Sequence, residues 1–272
     1  MILKADNAIL VLKADNMDCF FHDPALYFSH KCSERILFPM ILQQIQGTTL
    51  LLHFAGKKIL VDPALSINES PMPLSPAAGT GISMREILQA DAVVLTSLYP
   101  ERFDDTARNF LPKTIPVYVQ DRMDQAELKH SGFTNVQVIN KRTLFGNIFL
   151  TRTPFAGSPN GVLIEHPAEK SLLVTGDSVW NDGFLDTVHT VSPRAIAVNC
   201  GTEELASATP CTLGAEDILK LHHAAEKATL ITCHIEAFSQ WGVSRELLCR
   251  FTQDHNLTGR FLIPENGKNY YL

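Results

Sequence analysis

The chain lacks an apolar run long enough to cross a bilayer, a paired-cysteine motif and an excess of basic charge. Each absence argues against a class of function. Spanning a bilayer takes roughly 20 apolar residues. Residues 1–16 carry Lys4, Asp6, Lys13 and Asp15 inside their apolar stretches, so neither a secretion signal nor an anchor is expected there. The cysteines, Cys19, Cys32, Cys200, Cys211, Cys233 and Cys249, form no C-x-x-C pair. That pattern reads as reduced thiols in a cytoplasm and argues against a zinc ribbon or knuckle. Lys+Arg 23 against Asp+Glu 29 gives a formal net charge of -6, with no basic run interleaved with aromatics. Neither nucleic acid nor a membrane is therefore expected as a partner.

What is present is an ordinary globular composition, 45% hydrophobic and 19% charged, which excludes disorder. The 272 residues show no linker, and the Lys-Ala-Asp-Asn repeat at Lys4 and Lys13 is too short to be architectural. One domain, 1–272, is expected.

Short strands with a few helices dominate the pattern. Residues 50–54 and 58–62 flank Ala55-Gly56-Lys57, where Gly56 supplies the positive φ of a tight turn. The Pro- and Ser-rich stretch 66–80 reads as a surface loop long enough to cover a site. Helices are expected over 83–89, 121–129, 215–225 and 244–255, and strands over 92–95, 117–119, 147–153, 161–165, 171–175, 195–199, 229–232 and 260–263. Segments 195–199, 215–225 and 229–232 make a βαβ-like unit. The apolar groups at Phe20-Phe21, Tyr27-Phe28 and 36–40 read as core, with a homo-oligomer interface as the alternative.

Polar residues cluster just after strands, at Asp62, 97–105, Asp177 and 234–236. Rigid sheets with variable loops place chemistry there. Taken singly these residues are equivocal: Asp177 serves equally as a turn or cap residue, and His234 as a satisfied core histidine. His222-His223, adjacent on a helix, point to different faces and read as a solvated pair.

The order of the pieces carries more. T-L-L-L-H-F-A-G-K-K-I-L-V-D-P, A-D-A-V-V-L-T-S-L-Y-P-E-R-F-D-D, S-L-L-V-T-G-D-S, V-S-P-R-A-I-A-V-N-C-G and T-C-H-I-E-A together resemble the metallo-β-lactamase-fold metal-dependent hydrolases, nearest the ascorbate-phosphate lactonase-like branch. The resemblance leaves 1–45 uncovered. It implies an α/β, four-layer αββα sandwich with one or two ions at an edge between two sheets. The family signature T-H-x-H-x-D-H falls on Thr96-Ser97-Leu98-Tyr99-Pro100-Glu101-Arg102, so Ser97, Tyr99 and Arg102 stand where histidines are expected and only Glu101 keeps its acidic type. The next expected histidine is absent from 153–158. The bridging acid survives as Asp177 and the last histidine as His234. The H-x-E-A pattern of 234–237 keeps Glu236, which with Asp62 is expected to support the site residues from behind by hydrogen bonds, and the Asn-His that should follow is lost in 238–241.

A catalytic zinc takes about three protein ligands and an open position for water. Serine and neutral tyrosine oxygens replace imidazole poorly, and Arg102 carries a fixed positive charge. Two unit charges 4 Å apart cost about 4 kcal/mol at an effective dielectric of about 20, and a dication roughly doubles that. Arg102 is expected to stand in for the cation, pairing with Asp177 or Glu101 or receiving a small anionic ligand. Asp104-Asp105 are expected to cap or flank the following helix.

Two functions follow. The first is a pseudoenzyme with a degenerate active site, a non-catalytic or ligand-binding relative. The second is a hydrolase of a small ester, lactone or phosphoester. It uses either one zinc or manganese ion on Asp177, His234 and Glu101, or no metal, with Asp177 or His234 as base and Arg102 holding the developing anion. Cofactors are accordingly none or one divalent ion.

Overall fold

A computed structural model describes residues 2–5, 8–11, 39–66, 83–153, 161–200, 212–234, 245–257 and 259–272. In chain order, β1 (Ile2–Ala5) and β2 (Ala8–Val11) pair as a separate two-stranded ribbon. β3 (Ile41–Gln46), β4 (Thr49–Phe54), β5 (Lys57–Val61), α1 (Met84–Ile87), β6 (Ala92–Val94), α2 (Asp105–Phe110), β7 (Val117–Val119), α3 (Arg122–His130) and β8 (Val136–Val138) build the first half. β9 (Thr143–Phe145), β10 (Ile148–Thr153), β11 (Gly161–Glu165), β12 (Leu172–Val174), α4 (Asp182–Val191), β13 (Ala195–Asn199), α5 (Ala215–Ala224), β14 (Thr229–Cys233), α6 (Arg245–Asp254) and β15 (Phe261–Leu262) build the second, and β16 (Asn269–Tyr271) returns to the first.

Among the described residues, one sheet runs β16-β3-β4-β5-β6-β7-β8 and the other β15-β14-β13-β12-β11-β10-β9. Strands β5 to β8 are mutually parallel, as are β12 to β15. Their carboxyl ends therefore line one edge of each sheet.

Three apolar layers explain why the strands read as unbroken hydrophobic runs. Side chains alternate faces along a strand, and both faces here are covered. Leu50, Leu52, Ile59, Val61, Ala92 and Val94 meet Leu150, Ile164, Leu172, Ala195, Ala197 and Ile231 between the sheets. Their neighbours Leu51, Leu60 and Val93 face outward onto Ile87, Ala107 and Leu128 of α1 to α3. Leu173, Ile196 and Leu230 pack on Phe184, Val188, Ile218, Leu221 and Leu248 of α4 to α6. The result is the four-layer αββα sandwich that the resemblance implies.

The hairpin forms as read, with Ala55 at φ 49 and Gly56 at φ 76. Asp104 does cap α2, accepting from Ala107 N at 2.7 Å. Helix α4, capped by Asn181 through Phe184 N at 2.8 Å, has no counterpart in the sequence reading; nor have β3, β8, β9 and β16. The solvated His222-His223 pair is corrected in one half: His222 is buried and only His223 is exposed. Stretches 12–38, most of the 66–80 loop, 154–158 and 235–241, Glu236 included, lie outside the described residues. No helix among the described residues is long and apolar enough to cross a membrane.

Candidate functional site

The carboxyl ends of the parallel strands from the two sheets converge on Arg102. Arg102 N and Phe103 N both donate to Tyr99 O, at 2.8 and 2.9 Å, which turns the chain tightly after β6. Phe103 then anchors in the outer core, and Asp104 is fixed by Ala107 N and by Ser66 N at 2.5 Å. Thr48 Oγ1 holds the Glu101 carbonyl at 2.9 Å. Pinned on both sides, Arg102 is directed inward and is only 1% exposed, the largest fully buried side chain among the described residues.

Its partner comes from the other sheet. Gly176, at φ 60, turns the chain after β12 in a conformation that a side chain would strain. Asp177 follows, and its Oδ2 accepts from Arg102 Nε at 3.2 Å while Oδ1 accepts from Arg102 Nη2 and from Asn199 Nδ2, the latter at 3.2 Å. This is a bidentate fork, the strongest geometry a guanidinium and a carboxylate have. Of the two partners expected for Arg102, the fold uses Asp177; Glu101 points its carboxylate outward and is exposed.

Around the pair stand two residues with positive φ. Asp62, at φ 45, is buried and accepts from Thr96 N at 2.7 Å and Thr96 Oγ1 at 2.6 Å. His234, at φ 63, is buried where β14 ends, and its N–H donates to Gly47 O of the first sheet at 2.9 Å. Non-glycine residues in this region are strained and gather at functional sites. Burial pushes the Asp62 carboxyl up to about 6, opposed by Arg102 and the Thr96 hydrogen bonds. Burial, reinforced by Arg102, holds His234 well below its ordinary range, so its imidazole is neutral. Burial also lowers Arg102, against the pull of Asp62 and Glu101, and pushes the Cys233 thiol up to about 12, so that cysteine is inert.

These residues do not fit the ions of the fold family. Both oxygens of Asp177 are taken by N–H donors, and a guanidinium lies where positive charge would be added. Tyr99 is 58% exposed, and Ser97 offers only a neutral hydroxyl. Among the described residues no three His, Cys, Asp or Glu side chains come together to hold an ion, so the trio Asp177, His234 and Glu101 is not assembled.

The same edge contains functional candidates that sequence reading missed: Asn199, Gln120, Thr153 and Gln44. Gln120 follows β7, where its Nε2 donates to Leu95 O at 2.8 Å and its main-chain carbonyl accepts from Arg152 Nη1 at 3.1 Å across the sheets. Gln44 Nε2 donates to Gly47 O at 2.9 Å. Each is a polar residue in or just past an apolar run, the signal that singled out Asp177. Gln44 Oε1, Ser97 Oγ, Arg102 Nη1, Gln120 Oε1 and Thr153 Oγ1 are buried without a hydrogen-bond partner among the described residues. An unmade hydrogen bond of this kind costs about 1–3 kcal/mol.

Comparison with known proteins agrees with this architecture. The chain is 36% identical over 252 residues to UPF0173 protein YddR of Bacillus subtilis (strain 168), covering 85% of this chain and 99% of that protein. Its structure is similar to the isothiocyanate hydrolase from Delia radicum gut bacteria, with 26% identity, a TM-score of 0.77 and coverage of 86% and 99% of the two chains. It is similar also to a possible metal-dependent hydrolase from Veillonella parvula DSM 2008, at 24% identity and a TM-score of 0.80, covering 86% of this chain and all of that one (100%). No protein-family model matches the chain. Two facing sheets, helices outside them and a polar edge of strand ends define the metallo-β-lactamase fold class. Within that class the chain belongs to the UPF0173 family.

Proposed function

We propose that this chain is a metal-independent member of its family, in which the Arg102–Asp177 pair stands in for the cation and the strand-end edge binds a ligand without two-metal hydrolysis. The observation that carries the reading is the buried bidentate fork between the sheets, which spends the bridging carboxylate on a guanidinium. The residue types at 97, 99 and 102 support it. We read 1–272 as one domain, and the scattered cysteines support a cytoplasmic location.

The test is elemental analysis of protein purified without a metal column, beside the Asp177→Ala/His234→Ala variant. Neither form is expected to hold stoichiometric zinc, manganese or iron, and a chelator is expected to leave the melting temperature unchanged, since only an ion bound to the folded state raises it. One ion per chain, lost in the double variant, would sink the proposal.

A second reading is metal-free hydrolysis with His234, buried at the end of β14 near Arg102, as the base, although burial and Arg102 weaken its imidazole as a proton acceptor. Similarity to a protein described as an isothiocyanate hydrolase supports screening small electrophiles. Turnover by wild type that persists in chelator and disappears in His234→Gln would select this reading over the first.

A further inference from the structure

Five buried polar atoms without partners among the described residues, Gln44 Oε1, Ser97 Oγ, Arg102 Nη1, Gln120 Oε1 and Thr153 Oγ1, gather at the strand-end edge. Ser97 follows β6, Gln120 follows β7 and Thr153 ends β10. Gln44 is tied to Gly47, whose carbonyl also accepts from His234 N. Arg152 Nη1 on Gln120 O brings the ends of β7 and β10 together across the sheets, as Arg102 and Asp177 bring those of β6 and β12. The strip is thus continuous from one sheet to the other.

The geometry of Arg102 adds a direction. Nε and Nη2 form the edge that grips Asp177, so the two hydrogens of Nη1 lie on the far side of the guanidinium and are unclaimed. Native interiors satisfy such groups with protein, ordered water or ligand. Ser97 and Thr153 are the residues left where the family places imidazoles, or beside such a place, and their hydroxyls are both donors and acceptors. Gln120 Oε1 and Gln44 Oε1 need donors, whereas Arg102 Nη1 needs an acceptor.

We propose, resting on the metal-independent reading above, that this strip binds an uncharged, hydroxyl-rich small molecule. Hydroxyl groups meet the mixed demand because each donates and accepts. An anion does not: the positive charge is already matched by Asp177, and Asp62 and Glu101 act on the same guanidinium. The ligand class is therefore neutral, where the sequence alone suggested a small anion.

The test uses the full chain with myo-inositol and D-glucose as neutral probes, and inorganic phosphate and acetate as anionic ones, read by calorimetry and thermal melting. At least one neutral probe is expected to bind and raise the melting temperature, with the anions inactive. Ser97→Ala and Thr153→Val each delete one unpartnered hydroxyl. Each is expected to weaken that binding about tenfold, the effect of one lost hydrogen bond, while leaving the melting temperature without probe unchanged or higher. Two results overturn the proposal and leave the metal-independent reading standing: a larger response to phosphate or acetate, or no response to any of the four probes. A stoichiometric metal ion removes the reading on which the proposal rests.

Discussion

Arg102 and Phe54 are both almost fully buried, yet they are held by opposite physics. Phe54 sits in the inter-sheet layer with Leu42, Leu52 and Ile59, where apolar area removed from water stabilises the fold. Arg102 lies just beyond the strand ends, where a charge leaves water only because Asp177 meets it. Replacing a buried ion pair with apolar side chains is often neutral or stabilising, so the pair is weak support for stability as its reason to exist. The core and its edge thus teach different lessons: one is packed, the other is kept polar.

The largest expected effect breaks that contrast at its centre. Asp177→Ala leaves Arg102 buried without its hydrogen-bonded carboxylate and is expected to cost about 3–5 kcal/mol in urea unfolding. Arg102→Met/Asp177→Leu together should recover most of it, and a double variant as unstable as the single one would mean that the pair is structural. In the core, Leu52→Ala removes methyl groups from a filled layer, and about 2–5 kcal/mol is expected by the same measurement. A cost under about 1 kcal/mol would show that the layer collapses to fill the space.

The pH dependence sharpens the comparison from the edge side. Asp62 binds its proton near pH 6 in the folded chain and near 3.8 in the unfolded one. Its contribution is therefore greatest below about pH 4 and is lost as pH rises to about 6, a change of up to about 3 kcal/mol. His234, with a lowered value, acts in the opposite sense and weakens the fold as pH falls below 6.5. Stability of wild type minus that of Asp62→Asn, measured from pH 4 to 7, cancels the His234 slope and isolates Asp62. A flat difference would place the Asp62 carboxyl in contact with water. The smallest effect belongs to the surface: Glu246→Ala breaks the exposed pair with Arg250 and is expected to cost under about 0.5 kcal/mol.

Much of this was legible in the residues. The runs L-L-L and I-L-V around Gly56 announced strands covered on both faces, and the βαβ unit of 195–232 forms as a parallel pair joined through α5. Helix α4 escaped notice because only Phe184 and Val188 of its ten residues are buried, too few for a 3.6-residue rhythm to stand out. Edge strands β8 and β9 escaped because each is three residues long and incompletely buried. At the site, Asp62, Asp177, His234 and Arg102 were found from their places after strands. Gln120, Asn199 and Thr153 share that signal but carry amides and hydroxyls, which end strands commonly and announce nothing alone.

By itself the sequence determined the layers, because face alternation along a strand is a local property with a period of two. It also determined that histidines are missing from the family motif, since residue type needs no coordinates. Only the tertiary structure decided that Arg102 meets Asp177, 75 positions away, and not Glu101 beside it. It alone decided which polar atoms end without partners, because satisfaction depends on groups that folding brings together from distant parts of the chain.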